Sequence, residues 1–215
     1  MSRRMQILRR ATEIFERQGV AQTSIEDIAK AVGVKREAIY YYFRSREEIL
    51  LEIILPQSNS LILNLRGVVH QAGLSSMQKL RGAFEVHLNS FNPGYLEMSV
   101  MLREDHVFKD QRKLQELRRT WRDYDGLWVE LVREGQARGE FDAGLDAKMT
   151  AFGLLGMCNW MSRWYQPGKG ATIPELIDTF FRIGAHGITP LVAGDAERGR
   201  GAQPGALRSG AAQGG

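Results

Sequence analysis

The sequence predicts an all-helical protein, and three observations support this fold class. Apolar residues recur at intervals of three and four along nearly every segment, which is the period of an amphipathic helix. Proline is scarce, with six among 215 residues, so long helices are seldom interrupted. No segment shows the strict alternation of apolar and polar residues that is typical of a half-buried strand.

Three short helices are predicted at the start of the chain. The first runs to about residue 17 and ends at Gly19. A second begins after Ser24, a capping serine followed three residues later by Asp27, and Gly33 supplies its left-handed end. The third covers residues 36–43. The apolar face of the first helix consists of Met5, Leu8, Ala11 and Phe15.

Longer helices are predicted in the remainder of the chain. Ser45 caps a fourth helix whose first turn carries Glu47 and Glu48, where the helix dipole favours negative charge. Pro56 is expected to kink or interrupt this helix, because proline lacks a backbone N–H. Five further helical segments are expected at residues 75–92, 95–103, 107–138, 146–165 and 173–188.

The chain is therefore expected to contain two folded domains and a tail. Residues 1–46 form a three-helix N-terminal domain, and residues 47–190 form a larger helical domain. Residues 191–215 contain seven glycines and six alanines. A segment with so few side chains to bury is expected to be disordered.

Composition and charge exclude several classes of protein. The 29 basic and 25 acidic side chains leave a net charge of +4, which permits nucleic-acid binding without indicating it. The single cysteine, Cys158, excludes an internal disulfide framework and is typical of a reducing compartment. The longest uncharged stretch in the centre of the chain, residues 149–162, is shorter than the roughly 18 residues that a membrane span needs. A soluble, cytoplasmic protein with no membrane partner is therefore expected.

The second and third helices, separated only by Gly33 and Val34, predict a helix-turn-helix. In the third helix Ile39 and Phe43 are four residues apart and define its buried side. Because successive residues are about 100° apart, Tyr41 then points away from the core. A tyrosine there offers a hydroxyl to phosphate oxygens and a ring to sugars or thymine methyl groups. Taken alone, the same residues also fit a solvated corner of a helical bundle.

The order of residues across 23–34 and 39–50 is more specific than any single position. It resembles, almost position by position, the DNA-binding domain of the TetR family. The resemblance implies a one-component transcription regulator, in which the two helix-turn-helix units of a homodimer bind a palindromic double-stranded DNA operator. By position, the resemblance assigns contacts with DNA phosphates to Ser24, Tyr40, Tyr41 and Arg46. It assigns the reading of base edges to Lys35, Arg36 and Glu37. Arg44 adds positive charge beside them.

Four positions depart from the family pattern: Lys35, Glu37, Ala38, where the family commonly has a hydroxyl residue, and Tyr42, where it commonly has a histidine. Lys35 stands where the family usually has a serine or threonine that caps the third helix, and the lost cap corresponds to about 1 kcal/mol. Glu37 stands where the family usually has a small residue. A carboxylate in the groove is repelled by phosphate unless it accepts a hydrogen bond from cytosine N4. The third helix is therefore expected to read an unusual operator.

The last two helices are expected to form the dimer interface. Both are more apolar than a solvent-facing helix requires, and small residues along them let helices approach closely. Packing inside one domain explains this pattern equally well, but the resemblance favours dimerisation, because the C-terminal helix pair of the family forms a four-helix interface. The small residues are Ala151, Gly153, Gly156, Gly184, Ala185 and Gly187.

An aromatic and basic group is the first candidate for effector binding. Trp160, Arg163 and Trp164 are spaced to lie on one helical face, with the arginine between two indoles. The alternative is an arginine stacked on tryptophans inside the bundle. The group, followed by Pro167 and Gly168, is similar to a subgroup of TetR regulators that respond to acyl-coenzyme A thioesters. Further pocket candidates, whose types and spacing are more often those of core residues, are Phe84, His87, Leu88, Phe91, Met98, Met101, Trp121, Trp128 and Met157.

No motif points to catalysis or to a cofactor. The four histidines and one cysteine lack the spacing of metal ligands, and the sequence has no phosphate-binding loop, nucleophile elbow or dinucleotide fingerprint. An enzyme is therefore not expected. We expect a repressor that a small hydrophobic effector, an acyl-CoA or another hydrophobic acid, releases from DNA by shifting the dimer population through the fourth helix. The alternative is a helical adaptor or ligand-binding protein with no DNA role.

Overall fold

The computed structural model describes residues 1–90, 111–166 and 168–190, and within these ranges the chain is helical without a strand, as predicted. The predicted segment at 95–103 and the predicted tail lie outside the described residues. Among the helices described, none is both long and apolar enough to cross a membrane. The helices are α1 (Arg3–Gln18), α2 (Ile25–Val32), α3 (Arg36–Tyr42), α4 (Arg46–Val69), α5 (Ser76–Asn89), α6 (Gln111–Ala137), α7 (Ala147–Asn159) and α8 (Ile173–Ile188).

Side chains cap most of these helices. Ser24, Ser75 and Thr172 form capping boxes at the starts of α2, α5 and α8. In each box the hydroxyl accepts from a first-turn N–H, and an acid or glutamine three residues on accepts from the N–H of the capping residue. Ser45 caps α4 in the simpler way, by accepting from the Glu48 N–H. These starts are set by local sequence, which is why the sequence predicts them closely.

Two hydrophobic cores lie along the chain, and α4 contributes to both. The N-terminal core packs α1, α2 and α3 against the first half of α4, where Ile49 and Ile54 are buried. The C-terminal core packs α5, α6, α7 and α8 against the second half of α4, where Leu65 and Val69 are buried. A displacement of α4 in one core is therefore carried directly into the other.

Helix α6 is a second connection between the two cores. Leu117 is fully buried in the N-terminal core and Trp121 packs against that core, whereas Leu127 and Trp128 belong to the C-terminal core. The sequence predicted only α4 as a connection. Hydrophobic periodicity shows which face of α6 is buried, but it does not show that successive turns of that face pack against different domains.

Pro56 does not interrupt α4, since the helix is continuous from Arg46 to Val69, so of the kink or interruption predicted there the interruption is absent. Ile54 and Ser58, on either side of the exposed proline, are both buried. The Ser58 hydroxyl donates to the Ile54 carbonyl over 3.1 Å. Packing against both cores therefore holds the helix together despite the backbone hydrogen bond that proline cannot make.

The predicted helix at 146–165 is also wrong at its end. Helix α7 stops at Asn159 and continues as a tighter 3₁₀ turn, Trp160–Arg163. Met161 in this turn is fully buried in the C-terminal core. The tighter winding rotates the residues after Asn159 relative to a continued α-helix, so faces inferred from α-helical spacing do not hold here.

We expect Gly135→Ala to destabilise the protein. A Cβ atom at this buried position of α6 would overlap the ring of Phe141, which is itself buried. Overpacking of this kind costs about 1–3 kcal/mol, and equilibrium urea denaturation should show the loss as a lower midpoint.

The matched control for this change is Gly126→Ala on the same helix. Open space surrounds that position, so alanine there should raise the free energy of unfolding by about 0.5–1 kcal/mol. Equal denaturation midpoints for the two variants would contradict the close packing of α6 against Phe141.

Candidate DNA-binding site and effector-binding region

The helix-turn-helix is held rigidly at both ends of α2. Gly33 has a φ of +75° and its N–H donates back to α2, and the Val34 N–H donates to the Ala29 carbonyl over 3.0 Å. At the start of α2 the Ser24 hydroxyl donates to the Asp27 carboxylate over 2.6 Å and accepts from the Asp27 N–H. This hydrogen bond lowers the pKa of the Asp27 carboxyl. The Ser24 proton thus has an acceptor within the chain, and its phosphate contact stays a prediction.

The tyrosines of α3 point as the sequence geometry predicts. Ile39 and Phe43 are buried, whereas the Tyr41 side chain is 82% exposed. Tyr40 is exposed as well, and Tyr42 is half-buried with its ring edge-on to Tyr41, at 4.9 Å between centroids. Tyr41 therefore projects from a helix that is anchored on its opposite side by the N-terminal core.

Exposed charged side chains lie on α3 and directly before and after it. Lys35, Arg36, Glu37 and Arg44 are all exposed. Arg36 donates to the Tyr40 hydroxyl over 2.8 Å, and its guanidinium lies 5.3 Å from the centre of that ring. This contact holds the cation on the outer face of α3. Lys35 stands at the N-cap without a side-chain hydrogen bond to the helix, so the predicted loss of the cap is confirmed.

Arg46 has a structural role that the sequence did not predict. Its guanidinium donates to the Ala21 carbonyl over 3.0 Å and to the Thr23 carbonyl over 2.8 Å. It also lies 3.8 Å from the carboxylate of Glu47. These bonds tie the first residue of α4 to the loop before α2. The prediction that Arg46 also holds a phosphate remains a prediction.

The buried pocket candidates surround His87 in the C-terminal core. His87 Nδ1 lies 2.8 Å from the Tyr124 hydroxyl, and the His87 ring is edge-on to Trp128 at 6.2 Å between centroids. Burial lowers the pKa of His87 to about 4, against the smaller opposing effect of the neighbouring Asn159 side chain. His87 is therefore neutral at pH 7. Phe84 packs edge-on against Trp128 at 5.6 Å.

The remaining pocket candidates do not share one place. Met157 is partly buried against the C-terminal core, whereas Trp121 packs against the N-terminal core. Phe91 and Met101, together with Met98, fall outside the described residues. Of the described candidates, Phe84, His87 and Trp128 pack together, and Leu88 is buried in the same core. Tyr124 and Asn159, which were not among the pocket candidates, lie beside His87.

The aromatic and basic group is on the surface of the chain. The Trp160 side chain is 63% exposed and that of Trp164 is 47% exposed. Arg163 lies 6.0 Å from the Trp160 ring, whereas Trp164 packs edge-on against Tyr165. The alternative of an arginine stacked inside the bundle is therefore wrong for this chain. The prediction of an arginine between two indoles is also wrong, because the 3₁₀ turn rotates Trp164 away.

Helices α7 and α8 leave an apolar surface, which we call the α7–α8 face. The two helices meet closely at buried Gly184, where an added Cβ atom would lie 2.8 Å from Leu154. Their other glycines, by contrast, are exposed with open space above them. The α7–α8 face consists of Met149, Phe152, Gly153, Gly156, Ile183 and Gly187, all exposed.

Two family models match the chain. Residues 7–53 match the model for bacterial regulatory proteins of the tetR family, and residues 73–188 match the model for the tetracyclin repressor-like C-terminal domain. The chain belongs to the TetR family. It is therefore a DNA-binding transcriptional regulator rather than an enzyme. This assignment favours the regulator over the adaptor that the sequence left open.

Curated relatives of this TetR regulator cover most of its length. The HTH-type transcriptional repressor KstR2 of Mycolicibacterium smegmatis is 24% identical over 189 residues, or 87% of this chain and 91% of the relative. The fatty acid metabolism regulator protein of Bacillus subtilis is 23% identical over 152 residues, or 71% of this chain and 77% of the relative. Both relatives are regulators by name, and the match extends well beyond the helix-turn-helix.

Solved structures share the fold of this regulator. KstR2 of Mycobacterium tuberculosis superposes with a TM-score of 0.77 at 23% identity, covering 88% of this chain and 96% of that one. AibR, solved in complex with isovaleryl coenzyme A and operator DNA, superposes with a TM-score of 0.73 at 20% identity, covering 85% and 97%. These likenesses support the two-domain helical architecture.

We expect Glu37→Ala to relax the operator preference of this TetR regulator. The exposed carboxylate in the first turn of α3 repels phosphate at most sequences and is tolerated best where cytosine N4 donates to it. Its removal should raise affinity for non-preferred sites, which binding to a set of single-base operator variants would measure. Glu16→Ala, which removes an exposed carboxylate from α1, is the control. An unchanged rank order of operators for Glu37→Ala would contradict a reading role.

Proposed function

We propose that this regulator is a repressor that binds a palindromic operator as a homodimer and is released by a small hydrophobic effector, with an acyl-CoA as the leading candidate. The observation that carries the proposal is Tyr41, which projects from a helix anchored on its other side, while Arg36 on the same helix and Arg44 just after it are also exposed. Hydroxyl and guanidinium groups bind phosphate oxygens, which fixes the register of a recognition helix on duplex DNA. Lys35, which lies just before the first turn of α3, and Glu37, which lies within it, then face the base edges.

The α7–α8 face supports the homodimer. It exposes Phe152 and Ile183 around glycines that let a second helix pair approach closely. A second copy of this chain is the occupant we propose, because one short recognition helix reads too few base pairs for useful specificity. Two-fold symmetry would place two copies of α3 on successive major grooves, roughly 34 Å apart.

The C-terminal core and its relatives support the class of effector. The C-terminal core consists mainly of apolar side chains, with the hydrogen-bonded pair of His87 and Tyr124 inside it, which suits the hydrophobic part of a ligand. Two similar proteins are named for related chemistry: a fatty acid metabolism regulator, and AibR in complex with isovaleryl coenzyme A. In this proposal Arg163 and Trp160 offer a cation and a ring to the nucleotide part of an acyl-CoA.

Helices α4 and α6 support the transmission of the signal. Each is buried in the C-terminal core at one end and in the N-terminal core at the other. An effector that binds better to one arrangement of the C-terminal core shifts the dimer towards that arrangement. The two α3 helices then no longer match successive grooves, and the affinity for the operator falls.

Operator binding with and without effector tests the proposal. A fragment of the promoter region of the protein's own gene should be retarded on a gel, with affinity that falls steeply as salt rises through counterion release. Acyl-CoAs, free fatty acids and aromatic acids are then compared by thermal shift and by release of the fragment at fixed salt. An affinity for DNA that is unchanged by every ligand of these classes would refute the effector, and indifference to duplex DNA would refute the repressor.

A further inference from the structure

The C-terminal core contains a group of polar side chains that we call the polar cluster: His87, Tyr124, Trp128 and Asn159. Three helices contribute to it, α5 with His87, α6 with Tyr124 and Trp128, and α7 with Asn159. His87 lies in hydrogen-bonding distance of Tyr124, at 2.8 Å, and its ring packs against Trp128. A hydrogen bond with the Asn159 side chain opposes the lowering of the His87 pKa by burial, which places Asn159 beside that ring.

Two atoms of the polar cluster are enclosed with unused hydrogen-bonding capacity among the described residues. The indole N–H of Trp128 (Nε1) has no acceptor, and the amide oxygen of Asn159 (Oδ1), which faces His87, has two lone pairs and so retains at least one for a second donor. The hydroxyl of Ser162, three residues after Asn159, is enclosed in the same way. Buried polar groups in folded proteins almost always have a partner, and those that lack one point to a water or a ligand. A donor and an acceptor beside the same histidine therefore suggest a binding site for a group that can both accept and donate.

The polar cluster is electrically neutral. His87 is uncharged at pH 7 because burial lowers its pKa to about 4, and the other three side chains carry no charge. A ligand carboxylate here would be buried without a cation among these four side chains. An uncharged hydroxyl group can pair with both atoms, because its oxygen accepts a hydrogen bond from Trp128 Nε1 and its hydrogen is donated to Asn159 Oδ1.

We propose that the polar cluster binds a hydroxyl group on the hydrophobic part of the effector, so that the effectors of this regulator are oxygenated rather than plain hydrocarbon chains. The inference rests on the proposed effector function and adds the chemistry of the buried end of the ligand. Phe84, packed edge-on against Trp128, provides the apolar surroundings of that end.

The position of Trp128 gives this contact a route to the DNA-binding domain. Leu117, on the same helix, is fully buried in the N-terminal core, eleven residues earlier. At 1.5 Å per residue this separation is roughly 16 Å along α6. A hydroxyl that draws Trp128 and Asn159 together therefore acts on a helix whose other end packs against the core that carries α3.

Two pairs of ligands test the proposal on the full chain. The first pair is dodecanoyl-CoA and 12-hydroxydodecanoyl-CoA. The second pair lacks CoA and consists of the isomers nonan-1-ol and 1-methoxyoctane, of which only the alcohol can donate. Two hydrogen bonds at about 0.5–1.5 kcal/mol each predict that at least one hydroxylated compound binds about tenfold more tightly than its partner, measured by calorimetry.

Variants and a spectroscopic signal locate the binding site. Asn159→Leu should abolish the preference for the hydroxyl, whereas Asn89→Leu, the same change at an exposed position of α5, should retain it. In the unmodified protein, labelled with nitrogen-15, the indole N–H resonance of Trp128 should move when nonan-1-ol binds. This signal does not depend on the folding of any variant.

Three results would overturn the proposal. They are equal affinities within both pairs, a preference that survives in Asn159→Leu, and a Trp128 resonance that no hydroxylated ligand moves, which would indicate a structural water only. A hydroxyl preference without any release of operator DNA would support the polar cluster and refute the proposed effector function. Failure of the polar cluster to bind a hydroxyl group is thus distinguishable from failure of the proposed effector function.

Discussion

Tyr41→Ala should lower the affinity of the dimer for its operator roughly 100-fold, since a hydrogen bond from each copy to a charged phosphate is worth about 1.5 kcal/mol or more. The side chain is 82% exposed, so its removal should leave the melting temperature unchanged. Fluorescence anisotropy with a labelled operator at fixed salt would measure the loss. Tyr41→Phe separates the contribution of the hydroxyl from that of the ring.

The control for this prediction is Leu63→Ala, which truncates another exposed side chain, on α4 and outside the helix-turn-helix. Its operator affinity should equal that of the unmodified protein. If Tyr41→Ala binds as tightly as Leu63→Ala, α3 is not the helix that sits on DNA, and the assignment of Arg36 and Arg44 fails with it.

Phe152→Glu combined with Ile183→Glu should convert the dimer to a monomer and lower operator affinity by about a thousandfold or more. Both side chains belong to the α7–α8 face and are exposed in the single chain, Ile183 by 57%, so the substitutions cost little within one protomer. In the dimer they would bury unpaired carboxylates, each at a cost of several kcal/mol. Analytical ultracentrifugation gives the mass, and operator binding at the same concentration gives the functional loss.

Leu63→Glu provides the matched control for the dimer, because it places a carboxylate on an equally exposed apolar side chain outside the α7–α8 face. This variant should remain dimeric and bind the operator normally. A doubly substituted protein that still sediments as a dimer would show that the two copies associate through another surface. A monomer with undiminished operator affinity would contradict the need for a symmetric pair.

Local features of this regulator were predictable from the sequence because their causes are local. The capping box at Ser24 and the left-handed Gly33 lie within the segments whose ends they determine. The direction of Tyr41 follows from the spacing of Ile39 and Phe43, because only one side of α3 can face the N-terminal core.

Where prediction failed, contacts between distant segments outweighed local preference. Pro56 should interrupt a free helix, but packing against two cores keeps α4 continuous. The burial of Met161 accompanies a 3₁₀ turn that α-helical periodicity does not predict, and this turn separates Trp164 from the pair formed by Trp160 and Arg163. Of the small residues expected to mediate dimerisation, Ala151 and Gly184 are buried within their own chain instead.

The sequence alone determined the fold class, the helix-turn-helix and the family, since these depend on hydrophobic period, capping residues and a continuous order of residues. Only the tertiary structure decided that α6 joins both cores and that His87, Tyr124, Trp128 and Asn159 come together. These four residues come from three helices, and Tyr124 lies 37 residues from His87 along the chain. Their proximity depends on how the helices pack, and no local pattern of residues encodes it.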